Sequence, residues 1–377
     1  MSGLKPAVIG LTSLCIWAGL SLSSALANDP PRPIAKPGDV RVQTLSITPD
    51  ITQIITQNTQ AATDTATAST VPVPVRKAAV PDGYSPNTPA QRLALRGDRA
   101  AKEYFGAAAK PANLRARSIG SYAKGCLAGG TSLPKDGNTW QVMRLSRNRN
   151  WGHPDLIDYL QDLANDAPSL GWNGLLVGDL AQPRGGPMTS GHASHQIGLD
   201  ADIWLRQMPN RRLSRQEREE ISAISMLKGP LDVKGADRSV DPNKWTDAHA
   251  RLIRRAAQDR RVARIFVNPT IKKALCSFER GPDRSWLRKV RSWWGHHYHF
   301  HVRLSCPPDS IGCKNQNPPP PGDGCGEELV YWLSDVPWVP KKPKDPSKKP
   351  VVKKKRAMQL AALPNDCRSV LQAEARP

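Results

Sequence analysis

With 54 Lys or Arg against 33 Asp or Glu, the 377-residue chain carries a formal net charge of +21. That balance implies attraction to polyanions, of which several qualify: nucleic acid, lipid headgroups or an anionic cell wall. The length accommodates one large domain or two ordinary ones.

In chain order, Lys5 precedes an apolar stretch over residues 7–22, and the small-residue triplet Ala25-Leu26-Ala27 follows. This is the pattern of a secretory signal peptide over residues 1–27. The apolar run falls short of the ~20 residues of a spanning helix, which disfavours a membrane anchor. No later segment is apolar enough to span a bilayer, so the exported chain is expected to be soluble, and export argues against nucleic acid. Residues 28–90 are rich in Pro, Thr and Ala without periodicity and read as a disordered leader.

From residue 91 the character changes, and residues 91–335 are expected to form one globular unit. Helices are predicted within 91–110 and over 153–167, 214–227 and 246–259; strands are predicted over 172–180, 198–205, 263–268 and 297–304. Elements alternate without clean βαβ units, and no Gly-rich phosphate loop is present. The expected fold is α+β, a central and mainly antiparallel sheet flanked by helices. Residues 336–377 read as a basic tail, with a Pro/Lys tract from Lys341 to Arg356 and an apolar end around Cys367.

Cys15 leaves with the signal peptide, and Cys126, Cys276, Cys306, Cys313, Cys325 and Cys367 remain. An even number in an exported chain reads as disulfides, with fifteen connectivities open. None sits in a CxxC pair, so thiolate zinc ligation is a poor alternative. The short Cys306–Cys313 loop is the most natural bridge.

Six of the eight histidines fall in two windows, SGHASHQIGLDADIW at 190–204 and GHHYHFHV at 295–302. On a strand, Asp202 shares a face with Asp200, while Ala201 and Ile203 point the other way. His299 and His301 likewise share a face, with Phe300 opposite. Two adjacent strands would then gather His195, Asp202 and His301 around a point on the sheet. Two imidazoles and a carboxylate suit Zn²⁺, and three protein ligands leave a fourth position open, as in catalytic sites. His153, before Pro154, reads as a helix cap; His249 and His297 read as solvated.

These residues carry a family resemblance. SxGHASHQxGLDxDI followed by HxHVRLxCP resembles the penicillin-insensitive murein endopeptidases, within the zinc peptidases of the lysostaphin and D-Ala-D-Ala metallopeptidase group. SIGSYAKGC (118–126), QVMRLSRNRNWGHPDLIDYLQDL (141–163), IFVNPTIKKALC (265–276), DRSWLRKVR (283–291) and GDGCGEEL (322–329) extend it over residues 115–330. The resemblance implies a periplasmic hydrolase of the D-alanyl–meso-diaminopimelyl cross-link of peptidoglycan, insensitive to β-lactams because no serine is used. It makes His195, Asp202 and His301 the ligands of one zinc ion and His299 the catalytic histidine. His192 and His296 then line the site, His192 as a further candidate ligand and His296 as a candidate catalytic partner. It also implies bridges Cys126–Cys367, Cys276–Cys325 and Cys306–Cys313. Some relatives carry an Asp-x-x-His pair for a second metal; the corresponding GADRSVDPNKW has no histidine, which disfavours a second ion here. Substrate carboxylates would suit a basic cleft, with Arg184, Arg206 and Arg303 as candidates. A D,D-carboxypeptidase and a non-catalytic zinc-containing wall-binding protein are the competing readings, and the Lys-rich tract would draw the chain to anionic envelope polymers.

Overall fold

The computed structural model describes residues 99–231, 236–337 and 356–377. The expected signal peptide, the leader and nearly all of the Pro/Lys tract lie outside them. In chain order the elements are α1 (Ala101–Gly106), β1 (Arg117–Ser121), β2 (Lys124–Ala128), β3 (Thr131–Ser132), β4 (Trp140–Val142) and β5 (Trp151–Gly152). Then come α2 (Pro154–Asp166), β6 (Leu175–Val177), β7 (Asp200–Trp204), α3 (Arg215–Glu220), α4 (Asp247–Gln258) and β8 (Val262–Val267). The chain ends with α5 (Pro269–Phe278), β9 (Val290–Ser292), β10 (His299–Leu304), α6 (Glu327–Leu333) and α7 (Asp366–Gln372).

Six strands form the central sheet in the order β4-β6-β7-β10-β8-β9. The α+β class stands, but the sheet is mixed rather than mainly antiparallel. Its centre is antiparallel through β6, β7, β10 and β8, whereas both edges, β4 on β6 and β9 on β8, run parallel. The cause lies in the connections. The chain from β4 to β6 passes through α2, and that from β8 to β9 passes through α5, and a helical crossover returns a strand parallel to its predecessor. Each edge strand is only three residues long, too short to show periodicity in the sequence.

Helix starts follow capping chemistry. His153 caps α2 by accepting from the Asp155 N–H at 3.3 Å, with Pro154 in the first turn. Ser214 and Glu217 form a reciprocal capping box on α3. That helix ends at Glu220, well short of the expected residue 227. Ile221 turns extended and packs on the cluster of Met143, Leu176 and Trp204, and the Met226 N–H donates to the His297 carbonyl. Tertiary partners take the chain out of the helix. One sheet face buries Ala201, Ile203, Phe300 and Val302 against Leu156 and Leu160 of α2 and Leu252 and Ile253 of α4.

All three expected bridges are present: Cys126–Cys367, Cys276–Cys325 and Cys306–Cys313. The first pins α7 on β2, where Cys367, Val370 and Leu371 complete a second core with Tyr104, Phe105 and Ile119. Buried Arg184 holds the same helix, its Nη1 donating to the carbonyls of Val370, Leu371 and Ala373.

Behind the Cys276–Cys325 bridge, Lys272 of α5 is 1% exposed and its Nζ donates to the Leu287 and Asp323 carbonyls at 2.7 and 2.6 Å. Burial, aided by the nearby Arg291 charge, pushes its pKa down to about 7. Between about pH 7 and the ordinary lysine range the unfolded chain therefore binds the proton that the folded chain has released, so stability rises with pH across that window. Below it both states are protonated and the cost of the buried charge is fully present. Urea unfolding at pH 6.5 and 9.5 should show a rise in the parent chain that is smaller in Lys272→Met; equal rises would remove the account.

Candidate metal centre

The register of β7 on β10 builds the site. His301 lies opposite Asp202, Arg303 opposite Asp200 and His299 opposite Trp204, all on the sheet face away from the helices. His195 arrives from the loop before β7 with φ of 67°, a left-handed conformation uncommon for a residue with a side chain. Flanking Gly191 and Gly198 also have positive φ and let the loop fold back on the sheet.

Asp202 is the meeting point. Its Oδ1 lies 3.4 Å from His195 Nε2, 3.2 Å from His301 Nδ1 and 3.5 Å from His299 Nε2, and its Oδ2 lies 3.4 Å from His192 Nε2. Ligand atoms of His192, His195 and Asp202 fall within 4.8 Å of one another, a group that could hold a metal ion. The donor set passes a test of fit. Asp202 Oδ1 and both ring nitrogens of His195 are buried without a hydrogen-bond partner, a costly arrangement unless a cation satisfies them. Burial alone would raise the Asp202 carboxyl, yet the nearby His299 and His195 imidazoles hold it well below the usual carboxylate range. It is an anion. Burial pushes His299 down to about 4, against the pull of Asp202, and burial with the nearby His299 and His301 pushes His296 down to about 3. Both are neutral imidazoles near pH 7.

Around this group stand two carboxylates that position it. Fully buried Asp200 accepts from the His195 backbone N–H at 3.0 Å, from His301 Nε2 at 2.9 Å and from Arg303 Nε at 2.8 Å. With Nε2 of His301 turned to Asp200, its Nδ1 faces Asp202, the carboxylate–histidine pairing common at metal ligands. Asp179 receives His192 Nε2 at 3.2 Å, Arg149 at 2.8 Å and Arg147 at 3.0 Å. Burial opposes its charge, and the His192 and Arg149 hydrogen bonds still hold its pKa down to about 2.

Residues 118–372 match the model of a family described as penicillin-insensitive murein endopeptidase. The chain belongs to that family. A protein of Haemophilus influenzae bearing the same name is 48% identical over 239 residues, covering 63% of this chain and 79% of its own length. One of Yersinia enterocolitica is 47% identical over 236 residues, 62% of this chain and 79% of its own. One of Salmonella typhi is 47% identical over 218 residues, 58% of this chain and 77% of its own.

In this murein endopeptidase family member the six sequence-selected residues, His192, His195, Asp202, His296, His299 and His301, come together in one place. His296 packs 4.9 Å from His299 and 5.9 Å from His301, centroid to centroid. Two hollows flank the group. One, of about 260 Å³, is lined by His299, His192, Arg144, Arg147, Trp204 and Tyr298. The other, of about 600 Å³, is lined by His301, His296, Arg264, Arg303, Trp293 and Trp294 among others.

Elsewhere the expectations change. Arg184 is committed to α7, and Arg206 donates to the Ser222 carbonyl at 3.3 Å. Arg303 lines the larger hollow but is paired with Asp200 and lies 4.2 Å over Tyr122. His249 is buried rather than solvated, with Nε2 on the Leu205 carbonyl at 3.0 Å and its ring between Trp172 and Trp245. His297 is half-buried, its Nδ1 2.8 Å from Ser225 Oγ. Asp179, Arg147 and Arg149 escaped sequence reasoning. They lie in LLVGDL and RNRNW, and only the pairing of β6 with β7 brings them to His192.

Proposed function

We propose that this chain is an exported, zinc-dependent murein endopeptidase that hydrolyses the D-alanyl–meso-diaminopimelyl cross-link. The observation that carries the reading is the convergence on Asp202 of His195, His192 and His301, with buried donor atoms left without a hydrogen-bond partner. Zinc suits two or three imidazoles with one carboxylate, and when bound by His195, Asp202 and His301 it would supply Lewis acidity and nucleophile activation near neutral pH.

The chain's own groups do the rest. Asp200 fixes the ring of His301 through Nε2 and so turns its Nδ1 to Asp202, while Asp179 holds His192 by the same Nε2 that faces Asp202. His299, neutral and at the edge of the smaller hollow, takes or gives a proton at Nε2, and His296 supports it from the larger one. Arg147 and Arg264, one on each side, offer charge to the carboxylates of a cross-linked peptide. Since no serine is acylated, β-lactams find nothing to trap.

Three disulfides agree with an oxidising compartment such as the periplasm. Among the described residues no helix is long and apolar enough to cross a membrane. In this reading residues 1–27 direct export, residues 28–90 are a leader, and the Lys-rich tract draws the enzyme to anionic wall polymer.

Mass spectrometry of purified cross-linked muropeptide dimers tests the function. Monomers are expected, with the yield abolished by a chelator, restored by zinc and unchanged by a β-lactam. Loss of a terminal alanine alone would make the chain a carboxypeptidase, and intact dimers would leave a wall-binding protein.

A further inference from the structure

Beside the metal centre stands a group of aromatic side chains that neither the core nor the proposed chemistry uses. Trp293 and Trp294 follow β9 and are each 51% exposed, and Tyr331, on α6, is 48% exposed. Indoles so open to water forgo much of the burial energy that ordinarily places them inside. The patch is held rigidly. The segment leading into α6 is tied to α5 by the Cys276–Cys325 bridge, and α6 itself to β9 by the ion pair of Arg291 with Glu328. The Trp293 N–H donates to the Val267 carbonyl at 2.9 Å.

Its position matters more than its exposure. Ring-to-ring steps of 5.4, 5.9 and 5.6 Å lead from His301 through Phe266 and Trp293 to Trp332. Trp294 and Trp332 form a ridge shared by two hollows: the larger one at the metal centre, and a second of about 500 Å³ lined by Thr270, Lys273 and Ser277. An aromatic ridge with hydroxyl and ammonium groups beside it matches a sugar ring, which presents C–H bonds on its face and hydroxyls on its rim. The electron-rich indole face attracts the former, and the polar groups can bond the latter.

We propose that Trp293, Trp294 and Trp332 form a shelf that holds the glycan chain of murein while the attached peptide is cut; this rests on the endopeptidase reading above. The reach agrees. A four-residue peptide stem extends to roughly 13 Å, longer than the two ring steps of 5.4 and 5.9 Å that lead from His301 to Trp293.

Two measurements on the zinc-loaded full chain test the shelf. The first compares kcat/KM for a cross-linked dimer carrying its disaccharides with that for the same dimer stripped of sugar. A preference of about tenfold for the sugar-bearing dimer is expected, the size of one or two stacking contacts. Trp293→Ala and Trp294→Ala should each bring the ratio towards one. The second follows tryptophan fluorescence as peptide-free glycan chains are added. A shift is expected in the parent chain and a smaller one in each variant. A parent ratio of one without a fluorescence shift overturns the shelf, as does a shift produced by phosphatidylglycerol vesicles and not by glycan. If neither dimer is cleaved, the endopeptidase reading fails, and the glycan titration still decides the shelf by itself.

Discussion

Replacing His301 by Ala is expected to remove bound metal and turnover together, whereas His299→Ala should keep the metal and lose rate. The two side chains are neighbours on one face of β10, so sequence position alone does not separate them. Their surroundings do. His301 is anchored through Nε2 to Asp200 and turns Nδ1 to within 3.2 Å of Asp202, the arrangement of a ring fixed for ligation. Among the described residues no carboxylate is seen to fix the far side of His299. Its Nε2 lies 3.5 Å from Asp202, and its ring borders the smaller hollow beside Tyr298. A group that moves a proton contributes about 10²- to 10⁴-fold to rate, so His299→Ala should fall by that factor on muropeptide dimers. Metal analysis after dialysis, run beside the turnover assay, reads both quantities. Metal lost from His299→Ala would make His299 a ligand, and metal with turnover retained in His301→Ala would dissolve the ligand set. Circular dichroism of each variant confirms that the sheet is intact, which matters because both side chains are buried.

The difference between these two histidines marks where sequence reading stops. Alternation along β7 and β10 correctly puts Asp200, Asp202, His299 and His301 on one face, with Ala201, Ile203, Phe300 and Val302 on the other, because a strand with one buried face must alternate. The same alternation brings Asp202, His299 and His301 of the candidate group together, while His192 and His195 join it from the loop before β7. What was not legible depends on contacts distant in sequence. The parallel edges of the sheet arise from crossovers through α2 and α5 onto three-residue strands with no pattern of their own. Burial of His249 depends on Trp172 and the Leu205 carbonyl, reached only when α4 packs on the sheet. Arg184 was misjudged because charge says nothing of partners: it satisfies the last carbonyls of α7, while Arg147, in a short 3-10 turn, faces the site and Arg303 lines the larger hollow. Position along the chain decides a face, and tertiary partners decide a role.

Asp200→Asn should be the most damaging conservative change in the chain. Asp200 joins three elements: the His195 loop through its backbone N–H, β10 through His301, and the Arg303 guanidinium. Burial opposes its charge, and the Arg303 cation beside it holds its carboxyl far below the usual range. The amide keeps the volume and one acceptor but removes the negative charge, leaving Arg303 buried at 8% exposure without its counter-ion. Breaking such a pair from one side costs about 3–5 kcal/mol. Metal affinity should fall by about 10- to 100-fold as well, because the partner that orients His301 is weakened. The two losses can be separated. Adding Arg303→Met removes the stranded cation, so the double variant should recover much of the stability while metal binding stays weak. Urea unfolding of the parent, both single variants and the double variant completes the cycle. Losses that simply add would show that Asp200 and Arg303 are not coupled. Recovery of metal affinity along with stability would show that Asp200 acts on the metal centre only by neutralising Arg303.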